Sequence, residues 1–299
     1  MAARTASDRT MTLKDGRTLG FAEYGDPRGR AVIGFHGTPG SRLMLRIADG
    51  TARAQGVRLI APDRPGFGLS DPMPERRYPD FARDVEALLD HLGVERVALA
   101  GVSGGGPYAL ACAASMPERI SHALLVSGVA PVVGPDATPG LSRRHRIIFA
   151  WGARAPRLLR ALTGYAQRVW KRDPDAVFRR IVAMNPPVDR AIMTRPAVRE
   201  VLIAALRDAF RRGGGPAATE IALFGRPWGF RLQDVRVPVG LWHGEGDRLV
   251  PVRMGRHMAG LLPDCRASFI PAAGHYWVFD HLETLIGAAA ESGGPVILS

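Results

Sequence analysis

The sequence predicts an α/β fold, a mostly parallel sheet flanked by helices. Six short, near-continuously apolar runs recur at residues 31–35, 57–61, 96–102, 123–129, 237–242 and 266–270, the pattern of strands covered on both faces. Helix-like stretches separate them. In residues 81–92 the apolar side chains fall at 81, 85, 88, 89 and 92, forming one buried stripe. Alternation of this kind implies right-handed crossovers between parallel strands.

Ahead of the first core strand, residues 10–13 and 18–24 flank Asp15-Gly16, a pair suited to the positive φ angles of a tight hairpin turn. The alternation continues to about residue 131 and then stops. Residues 132–236 contain no convincing strand but several helix-like segments, at 143–151, 155–163 and 198–210, with breaks at Pro186-Pro187 and Gly213-Gly214-Gly215-Pro216. The turn Arg226-Pro227-Trp228-Gly229-Phe230 closes this stretch. The division expected is a core of residues 1–131 and 237–299 interrupted by a helical insertion, 132–236.

With 299 residues, 46% apolar and 23% charged, the composition is that of a soluble globular protein. A chain of this length hides roughly 75% of its unfolded surface and needs no disulfide or metal to hold together. The most apolar stretch, 123–133, is broken by Ser127, Gly128 and Pro131 and falls short of the roughly 20 residues a membrane span requires. Residues 1–10 hold no apolar run of a secretory signal. Cys112 and Cys265 lie far apart in apolar surroundings and read as small core residues. A cytoplasmic protein is expected.

The net charge is +12 and almost wholly arginine, Lys14 and Lys171 being the only lysines. Residues 132–236 hold 20 basic and 8 acidic side chains, and the rest of the chain holds 20 of each, so the excess belongs to the insertion. No zinc finger, aromatic RNA-binding motif, contiguous basic run, phosphate loop or dinucleotide fingerprint accompanies it. Nucleic acid is therefore not expected. The charge reads either as a solvated arginine face or as the approach for an acidic partner or anionic substrate.

Chemistry enters at Gly101-Val102-Ser103-Gly104-Gly105, which follows the apolar run 97–100 and precedes the helix-like 108–115. This strand-to-turn-to-helix setting is that of a nucleophile elbow, which holds a serine at a helix N-terminus where backbone N–H groups favour developing negative charge. A serine hydroxyl needs a base, and the base needs an orienting carboxylate. The ends of the last two strands supply both: Leu241-Trp242-His243-Gly244-Glu245-Gly246-Asp247 leads into Val250-Pro251, and Ile270-Pro271-Ala272-Ala273-Gly274 leads to His275. Asp247 is preferred over Glu245, which lies two residues nearer the strand. His243 and His36 are expected to shape turns, His281 to lie on the surface, and Asp63 and Arg64 to brace the site. Trp228 and Phe230 line the pocket mouth or pack at a domain junction.

These features resemble the α/β-hydrolases, in the broad group of proline iminopeptidases, cofactor-free haloperoxidases, epoxide hydrolases and small esterases. The matching stretches are Phe35-His36-Gly37-Thr38-Pro39-Gly40, Asp63-Arg64-Pro65-Gly66-Phe67-Gly68-Leu69-Ser70, the Ser103 elbow, His243 to Asp247 with Val250-Pro251, and Gly274-His275. The resemblance implies an eight-stranded sheet with a helical lid inserted after the sixth strand, a Ser103–His275–Asp247 triad, and an oxyanion hole from the N–H groups of Thr38 and Gly104. A serine where epoxide hydrolases carry aspartate directs the chemistry to acyl transfer. Thr38 and Gly104 stand where proline iminopeptidases show glycine and tryptophan, which disfavours peptidase activity. The expectation is a serine hydrolase of a small-molecule ester, thioester or lactone, with no metal or organic cofactor. Its rivals are an acyl-transfer or cyclising enzyme acting on a carrier-bound or anionic substrate, an iminopeptidase-like peptidase, and a non-catalytic binding module.

Overall fold

The structure, a computed structural model, describes residues 8–143, 145, 147 and 151–291. The chain begins with the hairpin β1 (Asp8–Thr12) and β2 (Thr18–Gly25), paired antiparallel with Thr12 opposite Thr18 and turned at Gly16, whose φ is +84°. Then follow β3 (Arg30–Phe35), α1 (Asp49–Ala54), β4 (Val57–Pro62), α2 (Tyr78–Leu92), β5 (Val97–Val102), α3 (Gly106–Ser115) and β6 (Ile120–Val126). After the helical insertion come β7 (Val239–Gly244), α9 (Val252–Leu261), β8 (Cys265–Ile270) and α10 (Leu282–Ala290). The strands form one sheet of eight in the order β1-β2-β4-β3-β5-β6-β7-β8. Only the β1/β2 and β2/β4 pairs are antiparallel.

A hydrophobic layer covers each face. Alternate residues of one strand point to opposite sides, so Ile33 joins the layer under α2 and α3, and Val32 the layer under α1 and α10. Cys112 is buried, Cys265 is half-buried, and both are free thiols.

Several strand bounds differ from the sequence reading: the first strand occupies 8–12 rather than 10–13, and the sixth and seventh strands are also displaced. The sixth strand occupies 120–126 rather than 123–129, because the chain turns at Ser127, in the left-handed region at φ +49°. Val129 and Ala130 are still buried, so the apolar run outlasts the strand. The seventh strand starts at Val239 rather than 237: Pro238 has no N–H to enter the ladder, and its carbonyl instead accepts from Ala123 N–H at 3.0 Å.

Between β6 and β7 the described chain forms α4 (Pro156–Arg172), α5 (Pro174–Ala183), α6 (Pro187–Met193), α7 (Pro196–Ala209) and α8 (Gly215–Phe224). Each has proline in its first turn, where the missing N–H is an orphan anyway and φ is already helical. The prolines read as breaks in the sequence therefore start helices. The segment expected at 155–163 runs on through Gly164 to Arg172 as one helix. Of the helix expected at 143–151, residues 144, 146 and 148–150 lie outside the described residues. No described helix is long and apolar enough to cross a membrane.

One ion cluster ties the insertion to the sheet. Arg42 is 2% exposed. Its guanidinium donates to Asp8 at 2.5 and 2.8 Å, to Asp63 at 2.9 Å and to Asp208 of α7 at 2.6 Å. Removing one member of a buried charge pair leaves the other uncompensated. Arg42→Ala is expected to cost about 3–5 kcal/mol in urea unfolding, with Asp63 stranded in the core.

Candidate active site

Strand β5 delivers Ser103 to the carboxyl edge of the sheet, where open α/β sheets build their sites. Ser103 sits at φ +54°, a conformation that costs a non-glycine residue about 1–3 kcal/mol and persists only where its surroundings hold it. Gly101 makes the sharp reversal possible, since a Cβ there would lie 2.8 Å from both Gly105 O and Gly106 Cα. Val129 N–H donates to Ser103 O at 3.2 Å and anchors the turn from the next strand's loop.

The loop after β3 packs onto this elbow. A Cβ on Gly104 would come within 2.3 Å of Thr38 Oγ1, so nothing larger than glycine fits unless Thr38 moves. A buried network fixes Thr38. Arg64, fully enclosed, donates to Thr38 Oγ1 at 2.7 Å, to Gly37 O at 3.2 Å and to His36 O. Its Nε lies 3.2 Å from Glu220 Oε1. Glu220, on α8, also pairs with buried Arg76 and accepts from Tyr108 Oη at 2.8 Å. His36 Nδ1–H donates to Gly37 O at 2.9 Å. Burial and the Arg64 charge hold its pKa well below the usual imidazole value, so it is neutral and shapes the loop.

On the other side of Ser103 the last two strands bring Asp247 and His275 together. Asp247 Oδ1 accepts from the N–H groups of Leu249 and Val250 at 2.9 and 2.8 Å, and Oδ2 accepts from His275 Nδ1 at 2.6 Å. Burial alone would raise the Asp247 pKa; the His275 charge and the hydrogen bonds outweigh it and hold the carboxyl below its usual range. Burial of His275 pulls its pKa down, but the Asp247 charge and hydrogen bond, with the charge of Asp189, raise it above the usual value. Both shifts favour an imidazolium–carboxylate pair. His243 Nε2–H donates to Val250 O at 2.8 Å and braces the Asp247 loop. Glu245 instead faces out and pairs with Arg256 at 2.5 Å.

Ser103, Gly104, Thr38 and His275 line one cavity of about 460 Å³. A residue from each of α4–α8 completes its wall: Trp170, Phe178, Met193, Leu202 and Phe224. No Asp, Glu, Lys or Arg lines it among the described residues.

A sequence model of the alpha/beta hydrolase fold matches residues 30–282. The chain belongs to the α/β-hydrolase fold family. It is an enzyme, similar to the 2-hydroxy-6-oxononadienedioate/2-hydroxy-6-oxononatrienedioate hydrolase of Paraburkholderia phymatum, at 28% identity over 93% of this chain and 92% of that protein. It is also similar to the pimeloyl-(acyl-carrier protein) methyl ester esterase of Aromatoleum aromaticum, at 30% identity over 76% of this chain and 84% of that protein. A solved thermophilic esterase from Thermogutta terrifontis superposes over 95% of this chain and 96% of its own with TM-score 0.67, at 22% identity.

Two expectations for this α/β-hydrolase are corrected by the packing. Trp228 does not line the cavity: it is 3% exposed, in the layer under α2, edge-on to Tyr78 with ring centroids 5.4 Å apart. His281 is half-buried against Trp277 rather than free on the surface. The buried acids Glu220 and Asp189, which meet the loops of Thr38 and His275, carry no sequence signal, each being one acid within an ordinary helix. In NMR titration the His275 ring is expected to protonate with a midpoint above the usual 6.5, and Asp247→Asn to bring that midpoint down.

Proposed function

We propose that this protein is a serine hydrolase that cleaves a carboxylic ester, thioester or lactone through an acyl-enzyme. The observation that carries this reading is the shared cavity of Ser103 and His275, with His275 Nδ1 held by Asp247. Nδ1–H engaged by the carboxylate leaves Nε2 as the base. Ser103 Oγ bonds to the substrate carbonyl carbon as its proton passes to His275 Nε2. The resulting oxyanion is received by the N–H groups of Thr38 and Gly104, each such donor being worth about 10²–10³ in rate. Collapse expels the leaving group, which takes the proton from Nε2. Water then attacks the acyl-enzyme, gives its proton to Nε2, and Ser103 is released with its proton restored.

Residues 132–236 act in this reading as a lid over the site, consistent with the share of the cavity wall that each of α4–α8 contributes. The wall favours an uncharged, apolar acyl group. A dioate, like the compound in the name of the Paraburkholderia relative, would lose hydration against apolar side chains without gaining a counter-ion. The Gly104–Thr38 contact weighs against a tryptophan-bearing, iminopeptidase-like site. Both thiols being free suits a cytoplasmic setting.

A second reading keeps the chemistry and adds an acidic carrier for the acyl group. The favouring observation is α4, which borders the cavity with Ala166 and Trp170 and carries Arg157, Arg160, Arg168, Lys171 and Arg172, all exposed, with no acidic residue. Under this reading, kcat/KM on a carrier-bound ester falls steeply between low and high salt, while that on a small neutral ester does not. Equal salt response of both substrates removes the carrier from the account.

Ser103→Ala is expected to lower turnover of an activated ester by about 10⁴-fold or more with the melting temperature retained, and to abolish labelling by a fluorophosphonate. Undiminished turnover would defeat the assignment. The acid limb of kcat/KM should lie above pH 6.5, because the base works only when neutral and its pKa is raised.

A further inference from the structure

We propose that Asp189, on α6 of the inserted helices, is a positioning residue that holds the backbone of His275 for catalysis. The inference rests on the serine-hydrolase reading. Asp189 is fully buried, and both of its carboxylate oxygens are spent on the loop that carries the base: Oδ2 accepts from His275 N–H at 3.0 Å and Oδ1 from Tyr276 N–H at 2.8 Å. Two backbone donors, one on each oxygen, satisfy both ends of the carboxylate. Asp189 makes no ion pair among the described residues; these N–H groups are its compensation.

The approach is close enough to constrain the neighbouring residue. A Cβ on Gly274 would lie 2.2 Å from Asp189 Oδ1 and 2.4 Å from its Cγ, so the carboxylate occupies the space a side chain would take. His275 is thereby held from two directions. Asp247, on the loop after β7, fixes the ring through Nδ1, and Asp189, from the insertion, fixes the main chain from which the ring departs. A ring pinned only at Nδ1 could still swing with its backbone, and a displacement of about 1 Å at a reacting group costs on the order of 10² in rate.

A second consequence is electrostatic. The groups that face the imidazole are Asp247, Asp189, His243 beyond Asp247 at 3.6 Å, and the Tyr276 phenol. Burial holds the phenol protonated and lowers the His243 pKa, so neither supplies charge at neutral pH. The two carboxylates remain, and the Asp189 charge adds to that of Asp247 in favouring the protonated imidazole.

The test compares wild type, Asp189→Asn and Asp189→Ala, each checked for folding by circular dichroism and thermal melting. Asparagine fills the same volume but offers one acceptor and no charge, so it keeps the packing if the alanine variant does not fold. Fluorophosphonate labelling of wild-type Ser103 is run first, because its failure rejects the serine-hydrolase reading itself rather than the role of Asp189. Given labelling, Asp189→Asn is expected to lower kcat on an activated ester by about 10²-fold with little change in KM. The acid limb of its kcat/KM profile should also move to lower pH. A purely structural residue would lower the melting temperature without moving that limb. An Asp189→Asn enzyme with wild-type kcat and an unmoved acid limb overturns the proposal.

Discussion

Two guanidinium groups are buried, Arg64 against the loop that carries Thr38 and Arg76 against Tyr108, and one carboxylate, Glu220, answers both. Buried charge is tolerated only where it is paired and hydrogen-bonded. Arg64 can hold the carbonyls of His36 and Gly37 and the hydroxyl of Thr38 only while Glu220 stays in place. Glu220 belongs to α8, so the shape of the loop beside Ser103 depends on the docking of an inserted helix. Tyr108 of α3 completes the cluster and joins the helix behind the elbow to the same charge.

The same arrangement recurs around the rest of the site. Asp208 of α7 meets Arg42, which in turn holds Asp63, and Asp189 of α6 meets the backbone of His275. The insertion is rich in cations and spends several of its few acids inward on the core. Its arginines are left mainly outside, and the cavity wall they surround is apolar. The formal charge of +12 therefore describes an outer surface, whereas α6, α7 and α8 each turn one acid inward onto the core.

Much of the fold was legible because it is encoded locally. Apolar runs read as buried strands, an Asp-Gly pair as a hairpin, and G-x-S-x-G between a run and a helix as a tight elbow whose steric demands glycine meets. Where the reading slipped, burial and secondary structure had parted company. Val129 and Ala130 are apolar because their loop is buried, so the run overshot β6. Prolines that punctuate the insertion were read as breaks although they begin helices, since one residue type both ends and starts them. Trp228 lies where the chain returns to the sheet; whether its ring faced the cavity or the core depended on the space beside Tyr78.

By itself the sequence determined the alternation of strands and helices outside residues 132–236, the elbow at Ser103, and the chain order of Ser103, Asp247 and His275, because each follows from residue types over a few neighbouring positions. Only the tertiary structure decided which side chains close the cavity and that Glu220 and Asp189 brace the loops on either side of Ser103. The contacts of Asp189 and Glu220 join residues 86 to 182 positions apart. No local pattern encodes such a pairing. It arises when a buried charge or an unsatisfied N–H selects the one partner that packing brings within reach.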